Sequence, residues 1–113
     1  VKGLSENIRV RSIIGRQLEH SRVYCFHNNG ADDTFISSAD WMGRNFFRRI
    51  EVATPITTPE LKERVIREGL EMALEDNTQA WLMQPDGSYV RTQPKDGEPA
   101  FSLQEGLWKI YGR

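Results

Sequence analysis

Arg22-Val23-Tyr24-Cys25-Phe26-His27-Asn28-Asn29-Gly30-Ala31-Asp32-Asp33-Thr34-Phe35-Ile36-Ser37 reads as a β-hairpin. Val, Tyr, Phe and Ile favour a pleated, half-buried strand. Asn29-Gly30 is the strongest short-range turn signal, because both residues tolerate positive φ. An antiparallel pair over 22–37 brings the two outer ends of the hairpin to one sheet edge. His20 lies just before the first strand, and Ser38-Ala39-Asp40 lies just after the second. Groups eighteen or more positions apart are thereby expected to meet.

Those groups have the chemistry of a phosphate site. His20 stands between Arg16 and Arg22, and Arg44, Arg48 and Arg49 follow the serine turn. A planar guanidinium can grip two phosphate oxygens at once, which lysine cannot. A lone histidine is more often a surface or capping residue, and Asp40 or Ser38 could equally cap a short helix over Trp41 to Phe47. Trp41, Phe46, Phe47 and Trp81 are read as core. His20, Cys25 and His27 lack the paired spacing of zinc ligands, and no P-loop is present.

Upstream, Ile8 to Ile14 alternates as a strand, with a short helix from Asn7 as the alternative. Downstream, Arg49 to Thr54 is expected as a strand ended by Pro55. Thr58-Pro59 opens a helix over 58–75, with Leu61, Val65, Leu70, Ala73 and Leu74 on its apolar face. Ala80–Met83 and Tyr89–Arg91 flank a turn at Gln84-Pro85-Asp86-Gly87. Ser102 with Glu105 three residues on is a capping-box pattern that starts a last helix.

The chain has 113 residues, 38% hydrophobic and 27% charged, which suits a single domain, 1–113, with one core. Net charge is −1, with eight Lys/Arg against five Asp/Glu in residues 1–49 and seven against eleven in 50–113. That mild asymmetry fits a local anionic ligand and not a dedicated nucleic-acid binder. One cysteine, Cys25, cannot form an internal disulfide, which points to a reducing cytosol. No apolar run approaches the ~18 residues of a membrane span. The start at Val1 without methionine suggests a fragment of a longer protein.

Glu19-His20-Ser21-Arg22, Ser37-Ser38-Ala39-Asp40-Trp41-Met42 and Arg48-Arg49-Ile50-Glu51-Val52, in this order and spacing, closely resemble the C-terminal catalytic domain of type 1 polyphosphate kinase. The resemblance runs from Gly3-Leu4-Ser5-Glu6-Asn7-Ile8-Arg9-Val10 to Ser102-Leu103-Gln104-Glu105. It implies an α/β (α+β) fold with a mixed sheet flanked by helices, one phospholipase D-like domain at the C-terminal end of a longer kinase. It implies reversible transfer of the ATP γ-phosphate to inorganic polyphosphate through a phosphohistidine that lies upstream. His20 would be the assisting histidine, and Arg49 the second arginine of the site. Arg22 and Ser38 would join them around ATP phosphate, and Asp40 would orient them. Mg2+ is implied, with ligands outside this segment. The implied partners are ATP, polyphosphate and the upstream domains of the same chain, in a full-length homo-oligomer that is cytoplasmic or membrane-associated. The isolated segment is expected to be inactive. A phospholipase D-like phosphodiesterase is the first rival, but that group carries Lys two residues after its His, where Arg22 stands here. A non-catalytic anion-binding module is the second.

Overall fold

A computed structural model describes residues 1–112. In chain order the elements are β1 (Arg11–Ile13), β2 (Val23–Phe26), β3 (Asp33–Ser37), α1 (Gly43–Phe47), β4 (Ala53–Pro55), α2 (Pro59–Ile66), a π-helical turn (Arg67–Glu71), α3 (Met72–Glu75), β5 (Ala80–Met83), β6 (Tyr89–Arg91) and α4 (Leu103–Tyr111). The α+β class is the expected one. The single mixed sheet is not: the described strands form two three-stranded antiparallel sheets, ordered β1-β5-β6 and β2-β3-β4. Local sequence shows where strands form, whereas which strands pair is a long-range choice. The chain divides into two units, one of Val1–Leu18 with the segment from Met72 onward, the other Glu19–Glu71.

In the first unit, Arg11↔Leu82 and Trp81↔Arg91 set the register of β1, β5 and β6. Gly87 closes the β5–β6 turn at φ +85°, where a side chain would be strained. Met72, Ala80 and Leu103 are the buried apolar residues here. Asp76, 1% exposed, joins three segments. Its Oδ1 accepts from Thr78 N (3.0 Å) and Gln79 N (2.7 Å), and its Oδ2 accepts from Leu103 N at 2.8 Å. The side chain of Arg11 crosses from β1 to donate to the carbonyls of Ala73 (3.1 Å), Leu74 and Asp76 (3.0 Å). A cation at orphan helix-end carbonyls is favourable in both charge and hydrogen bonding. Ser102 caps α4 as expected, its Oγ accepting from Glu105 N at 3.5 Å and donating to Gln79 Oε1 at 3.0 Å.

In the second unit, β2 and β3 form the expected hairpin, Val23↔Ile36 to Phe26↔Asp33. Asn29 (φ +51°) and Gly30 (φ +92°) make the turn. Side chains alternate across the sheet. Val23, Cys25, Thr34 and Ile36 share one face, and Tyr24, Phe26 and Phe35 share the other. The π-helical turn packs on the first of these faces. A Cβ on Gly69 would lie 2.9 Å from Val23 Cγ2, so the close approach needs glycine.

The helical stretch begins with Pro59 after Thr58, as read from the sequence, but the Thr58 side chain makes no capping bond. The expected apolar face also needs correction. Leu61 is 51% exposed and Leu74 66%, while Met72 is buried. A π turn inserts one residue and rotates the downstream side chains by about 100°, so a single 3.6-residue stripe cannot run through it. Among the described residues no helix is long and apolar enough to cross a membrane.

Candidate functional site

The end of the β2–β3 hairpin collects the groups that the sequence places there, all within Glu19–Glu71. Ser37 N donates to Arg22 O at 3.0 Å, which carries the pairing one step past β2. Ser38 N then donates to Val52 O at 3.0 Å, which brings in the chain leading to β4. His20, Arg22, Ser38, Asp40 and Glu51 therefore belong to one sheet edge.

Arg22 is the hub. Its Nε donates to Asp40 Oδ1 at 2.6 Å, its Nη2 to Asp40 Oδ2 at 3.4 Å, and its Nη1 to the carbonyl of His20 at 3.0 Å. One guanidinium thus fixes both flanks of the hairpin end. The bond to Arg22 holds the Asp40 carboxyl below the usual aspartate range, with further help from the charges of Arg22, Arg44 and Arg49. The same bond to Asp40 raises the Arg22 guanidinium, aided by the charges of Asp40, Glu51 and Tyr24. Asp40 is a carboxylate neutralised by arginine, which removes its repulsion for a nearby anion. Neither Asp40 nor Ser38 caps α1: the cap position is Met42, with no side-chain bond, because both side chains are engaged elsewhere.

Ser38 Oγ donates to Glu51 Oε2 at 2.6 Å and accepts from Val52 N at 3.0 Å. Its proton is committed to Glu51, so this hydroxyl holds the site's wall instead of standing free as a donor. Glu51 was not singled out in the sequence. Its only signal was a carboxylate two residues past Arg49 in an extended run. Arg49 is exposed and lies in a bend before β4, which begins at Ala53 and not at residue 49. The β3 partner of Ala53 is Ser37, and past that pair the chain must turn away to α1. The imidazole of His20 is exposed and has no hydrogen-bond partner among the described residues. His27 pairs with Asp32 (Nδ1–Oδ1 2.9 Å) at the turn end of the hairpin. Among the described residues no three His, Cys, Asp or Glu side chains group so as to hold a metal ion.

Behind this edge lies an apolar cleft of about 410 Å³, lined by Tyr24, Phe26, Phe35, Trp41, Asn45 and Phe46 among others. Tyr24 OH donates to Ala39 O at 2.9 Å, and the Tyr24–Trp41 and Trp41–Phe46 rings sit 6.1 and 6.3 Å apart. Trp41 (76% exposed), Phe46 and Phe47 are not core, contrary to the sequence reading, and Trp81 is half-buried.

Residues 1–104 match the family described as polyphosphate kinase C-terminal domain 2. The chain is 80% identical over 112 residues to a polyphosphate kinase of Neisseria meningitidis serogroup C, covering 99% of this chain and 16% of that protein. It is 58% identical over 107 residues to one from Burkholderia vietnamiensis, covering 95% of this chain and 15% of that one. A crystal structure of polyphosphate kinase from Porphyromonas gingivalis superposes with a TM-score of 0.86 at 39% identity, over 93% of this chain and 16% of that one. The chain thus spans about one-sixth of the length of these relatives. With the match running over residues 1–104, nearly the whole chain, this chain belongs to the polyphosphate kinase C-terminal domain 2 family.

Proposed function

We propose that this chain is the C-terminal catalytic segment of an ATP:polyphosphate phosphotransferase, which reversibly moves the ATP γ-phosphate onto inorganic polyphosphate through a phosphohistidine upstream of residue 1. The supporting observation is the Arg22 bridge, which ties the His20 carbonyl and the Asp40 carboxylate at one hairpin end. Phosphoryl transfer needs positioned cations and a proton donor more than new covalent chemistry from the protein. His20, exposed at that end, is the proposed acid toward the leaving oxygen, or the hydrogen-bond donor to the transferring phosphoryl group. Arg49 is the proposed bidentate phosphate ligand, and Arg22, paired with Asp40, is proposed to offer its remaining N–H groups to phosphate oxygens. Asp40 orients Arg22, and Ser38 holds Glu51 behind them.

Magnesium supplies charge neutralisation for phosphates in such reactions. Asp40 is taken by Arg22 and Glu51 by Ser38, so the residues of this segment do not fit the ion, and its ligands are proposed to come from other parts of the parent. The parent is proposed to act in the cytoplasm as a homo-oligomer. The test is ATP-dependent polyphosphate synthesis by the full-length parent and its His20→Ala variant. Synthesis by the parent and its loss in the folded variant are expected. Normal turnover by the variant would remove His20 from the mechanism.

A further inference from the structure

We propose that Gln104 is a positioning residue for His20: its side-chain amide clamps the backbone of Gln17 and so steadies the irregular segment that carries the imidazole. This role rests on the proposed reading of His20 as the assisting histidine.

Residues 14–22 join β1 to β2 without regular secondary structure. Their two large apolar side chains, Ile14 and Leu18, are 63% and 81% exposed, so packing does not pin the segment. The exposed His20 imidazole has no hydrogen-bond partner among the described residues. Its placement therefore falls to the backbone, which is held on either side of it. On the C-terminal side, Arg22 Nη1 donates to the His20 carbonyl at 3.0 Å. On the N-terminal side, Gln104 Oε1 accepts from Gln17 N at 3.1 Å, and Gln104 Nε2 donates to Gln17 O at 2.8 Å. One side-chain amide thus satisfies both main-chain groups of one residue, as a neighbouring strand would. Only Leu18 and Glu19 lie between Gln17 and His20, each with two soft torsions. Gln104 acts on His20 along this short covalent link.

The clamp stands on a fixed base. Gln104 is the second residue of α4, beside buried Leu103, whose N–H donates to Asp76 Oδ2 at 2.8 Å. Ser102 caps the same turn. Gly15 leaves room for the amide: a Cβ there would overlap Gln104 Oε1 and lie 2.8 Å from Nε2. Gly15 is not among the glycines with positive φ, so alanine would meet no backbone penalty and would act by displacing that amide. Both clamp bonds are open to solvent, so their loss costs the fold little. A proton donor misplaced by about 1 Å, in contrast, can cost about a hundredfold in rate.

The test compares the full-length parent with its Gln104→Met, Gly15→Ala, Gln104→Glu and His20→Ala variants, by ATP-dependent synthesis and by single-residue hydrogen exchange. Methionine keeps the length of glutamine without the amide. Gln104→Met and Gly15→Ala are each expected to speed exchange of the Gln17 amide at least about tenfold. They should lower kcat about ten- to a hundredfold while KM for ATP stays within about twofold. Gln104→Glu keeps the acceptor for Gln17 N–H and should fall between these variants and the parent. Parental kcat in both clamp variants, with the Gln17 amide released and His20→Ala inactive, would overturn the positioning role and leave the reading of His20 intact. A raised KM at unchanged kcat would overturn it in favour of substrate binding. An unprotected Gln17 amide in the parent would show that the clamp does not form. Normal turnover by His20→Ala would remove the catalytic reading and this role together.

Discussion

Arg22 and Asp40 are joined across the end of the β2–β3 hairpin by a 2.6 Å Nε–Oδ1 bond, although eighteen positions separate them in sequence. The pair converts a carboxylate that would repel phosphate into part of a neutral scaffold, and it aims the guanidinium at the His20 backbone.

The first prediction concerns the charge of Asp40. Its folded pKa is lowered, chiefly by the Arg22 bond. Any stability from the pair is therefore present above the ordinary aspartate pKa and is lost as pH falls through the lowered one. The side-chain carbon shift of Asp40 should titrate below that of an unpaired aspartate. In Arg22→Ala the midpoint should rise toward the ordinary value. An unchanged midpoint would show that the bond does not set the charge.

Arg49→Lys in the parent should slow synthesis about ten- to a hundredfold, the loss of one charge-assisted contact made in the transition state. Arg49→Ala should be at least as damaging. Full activity of the lysine variant would mean that Arg49 contributes charge alone, without bidentate geometry.

The 113-residue chain alone should take up no stable phosphate from labelled ATP. Its two histidines are His20, the proposed assisting residue, and His27, paired with Asp32 at the far end of the hairpin. Acid-labile, alkali-stable label on either would place a nucleophile within the segment and overturn the proposed upstream phosphohistidine.

Asp76→Ala should destabilise the chain by about 3 kcal/mol or more, because the N–H groups of Thr78, Gln79 and Leu103 lose their acceptor at a buried position. Asp76→Asn should recover part of this, since its remaining carbonyl oxygen can still accept while its amide faces another donor. Denaturant unfolding of both variants measures the difference. Equal stability of all three proteins would show that water replaces the carboxylate.

Several elements were legible residue by residue, and the reason is locality. The β2–β3 hairpin arises from β-favouring side chains on either side of Asn29-Gly30, and its register is set by that turn. The β5–β6 hairpin around Gly87 and the Ser102 cap of α4 arise in the same way, because each interaction spans only a few residues. The meeting of His20 with Ser38 and Asp40 at one edge was also legible, as a geometric consequence of the hairpin. Tertiary structure decided the choice among partners. Sequence offers Asp40 a helix to cap or several arginines to pair with, and only the closed hairpin puts Arg22 within reach. Glu51 joined the site because Val52 pairs beyond the end of β3, a contact no local pattern encodes. The π turn at Arg67–Glu71 sets Gly69 against Val23, a long-range contact, and its inserted residue breaks the 3.6-residue stripe that local sequence implies for the helix face.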